Sequence, residues 1–268
     1  MFPGAVADRD RADYVLLGAP LDRSTSFRPG TRFGPRQLRH RATPFEDYDS
    51  RTDSRFTDLA VHDHGDIAPA DDAAEYLEFL RGTVADVARD GAVPLLAGGE
   101  HTVSLAALRA LDPDVYVTLD AHLDLRERYA GTELSHATVT HHALEVADEA
   151  VVLGARSGSE REWERADRPD VTAVSPADVP EWTPPTGERL YLSVDIDAAD
   201  PGFAPGTGTP EPFGLAPAEM RRVVRAVAPA AVGFDVVEVT DRDHGQAATL
   251  GAKLLRAFVY AHAASDRD

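Results

Sequence analysis

The chain has 268 residues, 43% of them hydrophobic, with no cysteine, Lys253 as its one lysine, and a formal charge of -19 at pH 7. That length gives one large α/β domain, residues 1–268, with an ample core; the missing cysteines exclude disulfides and thiolate metal ligands, and no run approaches the ~20 apolar residues of a membrane span. No basic segment precedes a hydrophobic stretch to mark a secretory signal, so a soluble, cytoplasmic protein is expected, and the charge disfavours nucleic acid and anionic membranes, whose phosphates it would repel.

Apolar runs of a few residues bounded by glycine or charge read as fully buried strands of a parallel sheet. The first, Tyr14 to Gly18, runs into GAPLDRSTSFRPGTRFGP, and the second, Leu59 to His62, into a turn at HDHGD. A helix is expected over Ala73 to Arg89: Tyr76, Leu80, Val84 and Val87 recur at intervals of three or four, Asp72 is placed to cap its start, and Gly91 lies beyond its end. Strand Val93 to Ala97 ends in GGEH, where Thr102 can cap helix Val103 to Leu111, and strand Val115 to Leu119 ends in DAHLD. After the loop Leu125 to Leu134 come SHAT, helix Ala137 to Ala147, and strands Val151 to Leu153 and Val171 to Val174. Strand Leu190 to Val194 opens SVDID and leads into PGFAPGTGTPEPFG, too short and regular for a linker and better read as an active-site loop. Helix Ala216 to Val227, strand Val232 to Val237 and helix Ala247 to Ala263 follow; only the first dozen residues and the closing AASDRD read as candidates for disorder. Alternation of strand and helix implies right-handed crossovers and a doubly wound sheet of eight parallel strands.

Four strands end in carboxylate and imidazole side chains: PLLAGGEH, VYVTLDAHLD, RLYLSVDID and AVGFDVVEV. Ligands of such sheets sit beyond the strands' carboxyl ends. If these strands are neighbours, His101, Asp120, His122, Asp124, Asp195, Asp197 and Glu238 meet on one edge. Carboxylates so crowded cannot all stay ionised without a cation, and proton sharing serves a pair better than five. The inference is a site for two divalent metals. In an extended chain, strand alternation turns Asp120, His122 and Asp124 to one side, and Asp195 and Asp197 likewise. A mostly oxygen ligand set with two imidazoles favours Mn(II) over zinc. Taken singly, DAHLD also reads as a strand end with a solvated Asp, and GGEH as a glycine turn that exposes His101; their combination with SVDID points to metal. The acidic excess elsewhere reads first as a surface adapted to high salt, and second as an attraction for a cationic substrate.

With these segments in view, the chain resembles the ureohydrolase family of arginases and agmatinases over nearly its whole length, and within it the agmatinases most. GGEH, DAHLD and SVDIDAADPGFAPGTGTP look like the family's three signature segments, and GAPLDRSTSFRPGTRFGP looks like the agmatinase-type amino-terminal stretch. The resemblance implies a three-layer αβα fold of arginase type, two manganese ions, and a homotrimer or homohexamer. It also implies that His101 and Asp124 bind one ion, His122 and Asp197 the other, and that Asp120 and Asp195 bridge them. A hydroxide bridging the ions would attack a guanidinium carbon held by Glu238. His136 in SHAT would protonate the leaving amine, and Thr209 would contact the guanidinium side. Asp63, His64 and Asp66 would be structural, His141 and His142 partly exposed, and Arg28 and Arg32 braces of the site's edge or of a subunit contact.

The pattern departs from the family in places. Glu100 stands where many members have aspartate, Phe213 where glycine is frequent, and EVTDRDHG follows Glu238 in place of the usual segment. The loop Leu125 to Leu134 lacks the asparagine and serine with which arginases hold an α-carboxylate, while its Glu127 and Glu133 would suit a second cation. The expected reaction is therefore hydrolysis of agmatine to putrescine and urea. The alternatives are another guanidino or amidine substrate (arginine, guanidinobutyrate, formimidoylglutamate or aminopropyl-agmatine) or a metal-binding relative without catalysis.

Overall fold

Strands that are apolar on both faces need helices on both sides, and the chain supplies them in turn. The computed structural model describes every residue except 69, 71, 241 and 266–268. Its strands are β1 (Tyr14–Ala19), β2 (Tyr48–Asp49), β3 (Ser54–Arg55), β4 (Val61–Asp66), β5 (Val93–Gly98), β6 (Val115–Leu119), β7 (Glu149–Leu153), β8 (Val171–Val174), β9 (Leu190–Asp195) and β10 (Ala231–Val237). The helices are α1 (Gly34–Arg41), α2 (Ala73–Arg89), α3 (Ser104–Leu111), α4 (Val139–Ala143), α5 (Glu160–Ala166), α6 (Pro217–Val227) and α7 (Gln246–Ser265). β2 and β3 form a small antiparallel hairpin, and the other eight strands make one parallel sheet in the order β4-β1-β5-β10-β9-β6-β7-β8.

Alternation along each buried strand builds two cores. Tyr14 and Leu16 of β1 join Leu38, Val223 and Phe258 of α1, α6 and α7 on one face. Val15 and Leu17 join Leu80, Val84, Leu105 and Leu108 of α2 and α3 on the other. The result is the expected three-layer αβα arrangement. Among the described residues no helix is long and apolar enough to cross a membrane.

The differences from expectation are local. The second strand begins at Val61, because Ala60 turns with φ 49, and HDHGD continues that strand instead of following it as a turn. Asp63 binds Arg39 through Nε at 2.8 Å and Nη2 at 2.8 Å, and Asp66 binds the same guanidinium, so these acids are indeed structural. Phe2 is buried and its N–H donates to Asp63, which ties down an amino end expected to be loose. Of the closing AASDRD, Ala263 to Ser265 belong to α7 and the last three residues lie outside the described ones. The helix expected from Ala137 to Ala147 is a 3-10 turn (His136–Thr138) followed by the short α4. α1, α5 and the hairpin carry too little apolar periodicity to be foreseen. The Asp72 cap is present, its side chain accepting from the Glu75 N–H at 2.9 Å.

Phe213 explains one departure from the family pattern. Its φ is 65, in the region that favours glycine, and its ring is 87% exposed. A side chain there costs roughly 1–2 kcal/mol of backbone strain, against the roughly 0.5–1 kcal/mol that glycine loses through its freer unfolded chain. Phe213→Gly should therefore stabilise the protein by up to about 1 kcal/mol in chemical denaturation; a lower stability would show that the exposed ring makes a contact worth more than the strain.

Candidate active site

The strands that carry the candidate ligands, β5, β10, β9 and β6, are consecutive in the sheet, so their carboxyl ends share one edge. Past the last ladder residue, backbone N–H groups need new acceptors, and the site's own carboxylates supply them. Asp120 Oδ1 accepts from the His122 N–H at 2.7 Å, Asp195 Oδ1 from the Asp197 N–H at 2.8 Å, and Asp197 Oδ1 from the Ala121 N–H at 3.1 Å. The ligand segments therefore do not converge by extended alternation, as the sequence suggested. β6 stops at Leu119, Asp124 adopts φ 51, and Asp197 sits in a 3-10 turn (Ile196–Ala198). Each aspartate that closes a turn with one oxygen keeps its second oxygen for the cavity.

All six expected metal-binding residues come together. His101 Nδ1 lies 3.1 Å from Asp120 Oδ2, 3.3 Å from Asp124 Oδ2 and 3.5 Å from Asp195 Oδ2. His122 Nδ1 lies 3.0 Å from Asp197 Oδ2 and 3.7 Å from Asp120 Oδ1. Two groups result, His101 with Asp120 and Asp195, and Asp120 with His122 and Asp197; in each the donor atoms lie within 4.8 Å of one another, and Asp120 is common to both. His101 Nδ1 and Asp120 Oδ2 are buried and form no hydrogen bond despite their proximity. A buried polar atom left unpaired costs about 1–3 kcal/mol, and a cation between the two would satisfy both. The residues present thus fit a pair of cations with a shared aspartate.

Charge in the cluster supports the same reading. Burial raises Asp195 and Glu238 well above the carboxylate range, the neighbouring charges of Asp197 and Glu100 respectively adding to it. Asp124 is pushed up to about 7, by burial and then by Asp120. Burial acts on Asp120 too, yet the adjacent His101 and His122 imidazoles outweigh it and hold that carboxylate low. Burial opposes charge on both imidazoles, but Tyr116 and Asp120 raise His101, and Asp197 and Asp120 raise His122. Without metal, the cluster holds extra protons that a cation can displace.

Above the cluster lies a cavity of about 260 Å³, lined by His122, Asp124, Tyr129, His136, Ser159 and Thr209 among others. Ser26 donates its N–H to His136 Nε2 at 3.3 Å, so that nitrogen is an acceptor; burial lowers the pKa of the ring, which rests neutral. The expected acid is thus a base at rest. Thr209 donates its hydroxyl to Asp197 Oδ2 at 3.1 Å. Glu238, with φ 60, accepts the His101 N–H at 2.9 Å on Oε1. Glu127 and Glu133 do not line this cavity: Glu127 faces a neighbouring cleft of about 850 Å³, and Glu133 is exposed with Arg128 3.6 Å away. The loop instead contributes Tyr129 and Arg126, whose guanidinium lies 5.2 Å from the Tyr129 ring centroid and 3.1 Å from Glu162. Arg32 braces Asp22 at 2.8 Å, and His141 and His142 are half-buried on α4.

Glu100 went unassigned by sequence reasoning beyond its departure from aspartate. It accepts from the Ser24 N–H at 2.7 Å, the Ser24 hydroxyl at 2.8 Å and the Thr102 hydroxyl at 2.7 Å, as well as from the Arg23 N–H. Thr102 therefore serves Glu100 and does not cap the helix. Ser24 in turn accepts the His136 N–H at 2.9 Å, which ties the amino-terminal loop to the catalytic candidate. The paired glycines before Glu100 were the available signal: a Cβ at Gly99 would lie 2.0 Å from the Leu21 carbonyl oxygen.

A family model described as the arginase family matches residues 12–260. The chain is 35% identical over 264 residues to the N(1)-aminopropylagmatine ureohydrolase of Thermococcus kodakarensis, covering 93% of this chain and 91% of that protein. It is 33% identical over 254 residues to an agmatinase of Pyrococcus horikoshii, covering 91% and 90%. The solved agmatine ureohydrolase of Thermoplasma volcanium superposes with a TM-score of 0.92 at 34% identity, over 99% of this chain and 95% of that one. The chain belongs to the arginase family. With such relatives, and with a metal-type cluster beneath a small cavity, it is an agmatinase-like ureohydrolase, a hydrolase of carbon–nitrogen bonds in linear amidines.

The protonation pattern has a sign. Below about pH 7 Asp124 carries a proton that a cation must displace, so affinity rises with pH. Calorimetric titration of metal-free protein with Mn(II) should show binding weakening from about pH 8 to about pH 6, by up to roughly tenfold per unit for each proton displaced. A flat profile would mean that the cation does not enter this cluster.

Proposed function

We propose that the protein hydrolyses agmatine to putrescine and urea with two manganese ions, residues 1–268 acting as one domain. The observation that carries the reading is the sharing of buried Asp120 by two ligand groups directly beneath a cavity that holds a neutral His136. In this reading His101 and Asp124 would hold one ion, His122 and Asp197 the other, and Asp120 and Asp195 would serve both. Two such cations, when bound, would lower the pKa of water from about 15.7 toward neutrality and so supply the nucleophile. Glu238 grips the planar guanidinium through charge-assisted hydrogen bonds, and its hold on the His101 N–H couples substrate position to a metal ligand. His136 Nε2 takes up the proton lost by water and delivers it to the leaving amine. Thr209, bonded to Asp197, lies at the guanidinium side of the substrate.

The size of the cavity, below the range that houses drug-sized ligands, suits a slender molecule. Agmatine is favoured by the agmatinases among the relatives and by the lack of arginase-type α-carboxylate holders. Two observations favour a longer substrate: the cavity adjoins the larger cleft across Arg126, Ser159 and Glu162, and one relative is named for aminopropylagmatine. We further propose a cytoplasmic homotrimer or homohexamer that serves polyamine metabolism in high salt, in keeping with the acidic composition.

Urea release from agmatine, aminopropylagmatine, guanidinobutyrate and arginine, measured in high salt with Mn(II), tests the substrate. Agmatine should give the highest kcat/KM, and arginine as the best substrate would end the proposal. Asp120→Ala should lose bound metal and activity together; full activity with two ions bound would refute the shared-ligand assignment. His136→Ala should keep its metal and lower kcat by about 10²–10⁴-fold, the usual worth of a proton-transfer group. The wild-type rate should fall toward acid pH as His136 becomes protonated and ceases to be a base.

A further inference from the structure

Asp235 is wholly buried in the middle of the sheet and takes no part in the reaction outlined above. It stands on β10 directly opposite Ser193 of β9, so strand register puts its carboxylate beside two hydroxyls. Tyr191 donates to Oδ2 at 2.6 Å, and Ser193 donates to Oδ1 at 2.6 Å. Ser193 Oγ also lies 3.1 Å from His101 Nε2, and the Tyr116 hydroxyl lies 2.9 Å from the same nitrogen. None of these five side chains is exposed to solvent. Burial pushes the Asp235 carboxyl up, while charge on His101 and the hydroxyls of Ser104, Ser193 and Tyr191 pull it down.

Proton counting along this chain favours one tautomer of His101. A serine hydroxyl has a single hydrogen, and Ser193 gives it to the carboxylate. Toward His101 its oxygen can therefore only accept, so the 3.1 Å contact is a hydrogen bond when Nε2 carries the hydrogen, with the Tyr116 oxygen as a second acceptor. That leaves Nδ1 as the ring's ligand atom, the nitrogen that faces Asp120, Asp124 and Asp195 without a hydrogen bond. Which ring nitrogen binds metal is set by the hydrogen bond of the other one. We propose that Asp235 is a positioning residue: through Ser193 it keeps the hydrogen of His101 on Nε2 and so presents Nδ1 to one of the two metals. Asparagine in its place can turn an amide N–H toward Ser193. The hydroxyl would then point its own hydrogen at Nε2 and shift the imidazole hydrogen to Nδ1, where it competes with the cation.

The inference rests on the metal reading proposed above, and Mn(II) alone serves as the probe. Full-length wild type, Asp235→Asn, Ser193→Ala and Ser193→Thr are titrated by equilibrium dialysis, with electron paramagnetic resonance to separate paired from single ions. Wild type should bind two ions with a spin-coupled signal. Asp235→Asn and Ser193→Ala should bind one ion about 10–100-fold more weakly, showing only the single-ion signal at Mn(II) levels that saturate wild type and regaining the coupled one at higher levels. Ser193→Thr, which keeps the hydroxyl, should match wild type. A merely structural role would lower the melting temperature without separating the two sites. If Asp235→Asn fails to fold, Ser193→Ala carries the comparison. Folded Asp235→Asn or Ser193→Ala protein that holds both ions with wild-type affinity overturns the relay. Wild-type protein that binds no Mn(II) sinks the metal reading, and the relay with it.

Discussion

Negative charge buried at one sheet edge is the constraint on which the rest of the structure depends. Asp120, Asp124, Asp195, Asp197 and Glu238 all lie out of solvent, where like charges interact far more strongly than in water. Such a group persists only if something positive or acidic sits among it. The fold answers in two ways. Backbone N–H groups of the turns bind one oxygen of Asp120, Asp195 and Asp197, and His101 and His122 face the remaining oxygens. The turns thus fix one oxygen of each of these carboxylates, and the remaining imbalance suits the site to cations.

A second pair of carboxylates links that centre to the groups above it. Glu100 and Glu238 flank His101 in space, one gathering the Arg23 and Ser24 amides and the other accepting the His101 N–H. Through Ser24 the first of these reaches His136. The amino-terminal loop and His136 are therefore joined by hydrogen bonds to Glu100, the residue next to His101 in the chain. A shift at Glu100 would be felt at His136 without any contact between them.

Much of this was legible in the residues because the buried parallel strands announce themselves as apolar runs, and their ends carry the chemistry. PLLAGGEH, VYVTLDAHLD, RLYLSVDID and AVGFDVVEV are adjacent in the sheet as the cluster required. What was not legible depends on geometry beyond the ladder. Alternation is a property of paired strands, and Asp124 and Asp197 lie past the end of pairing, where turns decide direction. Glu127 and Glu133 looked like a cationic receptor because sequence places them near DAHLD, but the loop turns Arg126 and Tyr129 inward instead. α1, with its sequence GPRQLRHR, and the seven-residue α5 were missed because neither carries enough apolar periodicity to be seen without the sheet they pack on. Asp235 had a signal of its own, a charge inside an apolar run, yet its role needed the register of β9 and β10.

The acidic surface admits two readings that physical conditions make mutually exclusive. At low ionic strength a net charge of -19 would steer a cationic substrate toward the molecule. Near 1 M salt the screening length falls to about 3 Å, and such steering vanishes. If the excess of Asp and Glu is an adaptation to high salt, the surface is spent on solvation and contributes nothing to recognition. Discrimination among cationic substrates would then fall to groups within the site, where salt screens less: buried Glu238 and the half-buried cavity wall of Tyr129, Arg126 and Ser159. The charge that dominates the composition and the charge that decides the chemistry are, on this argument, separate features of the chain.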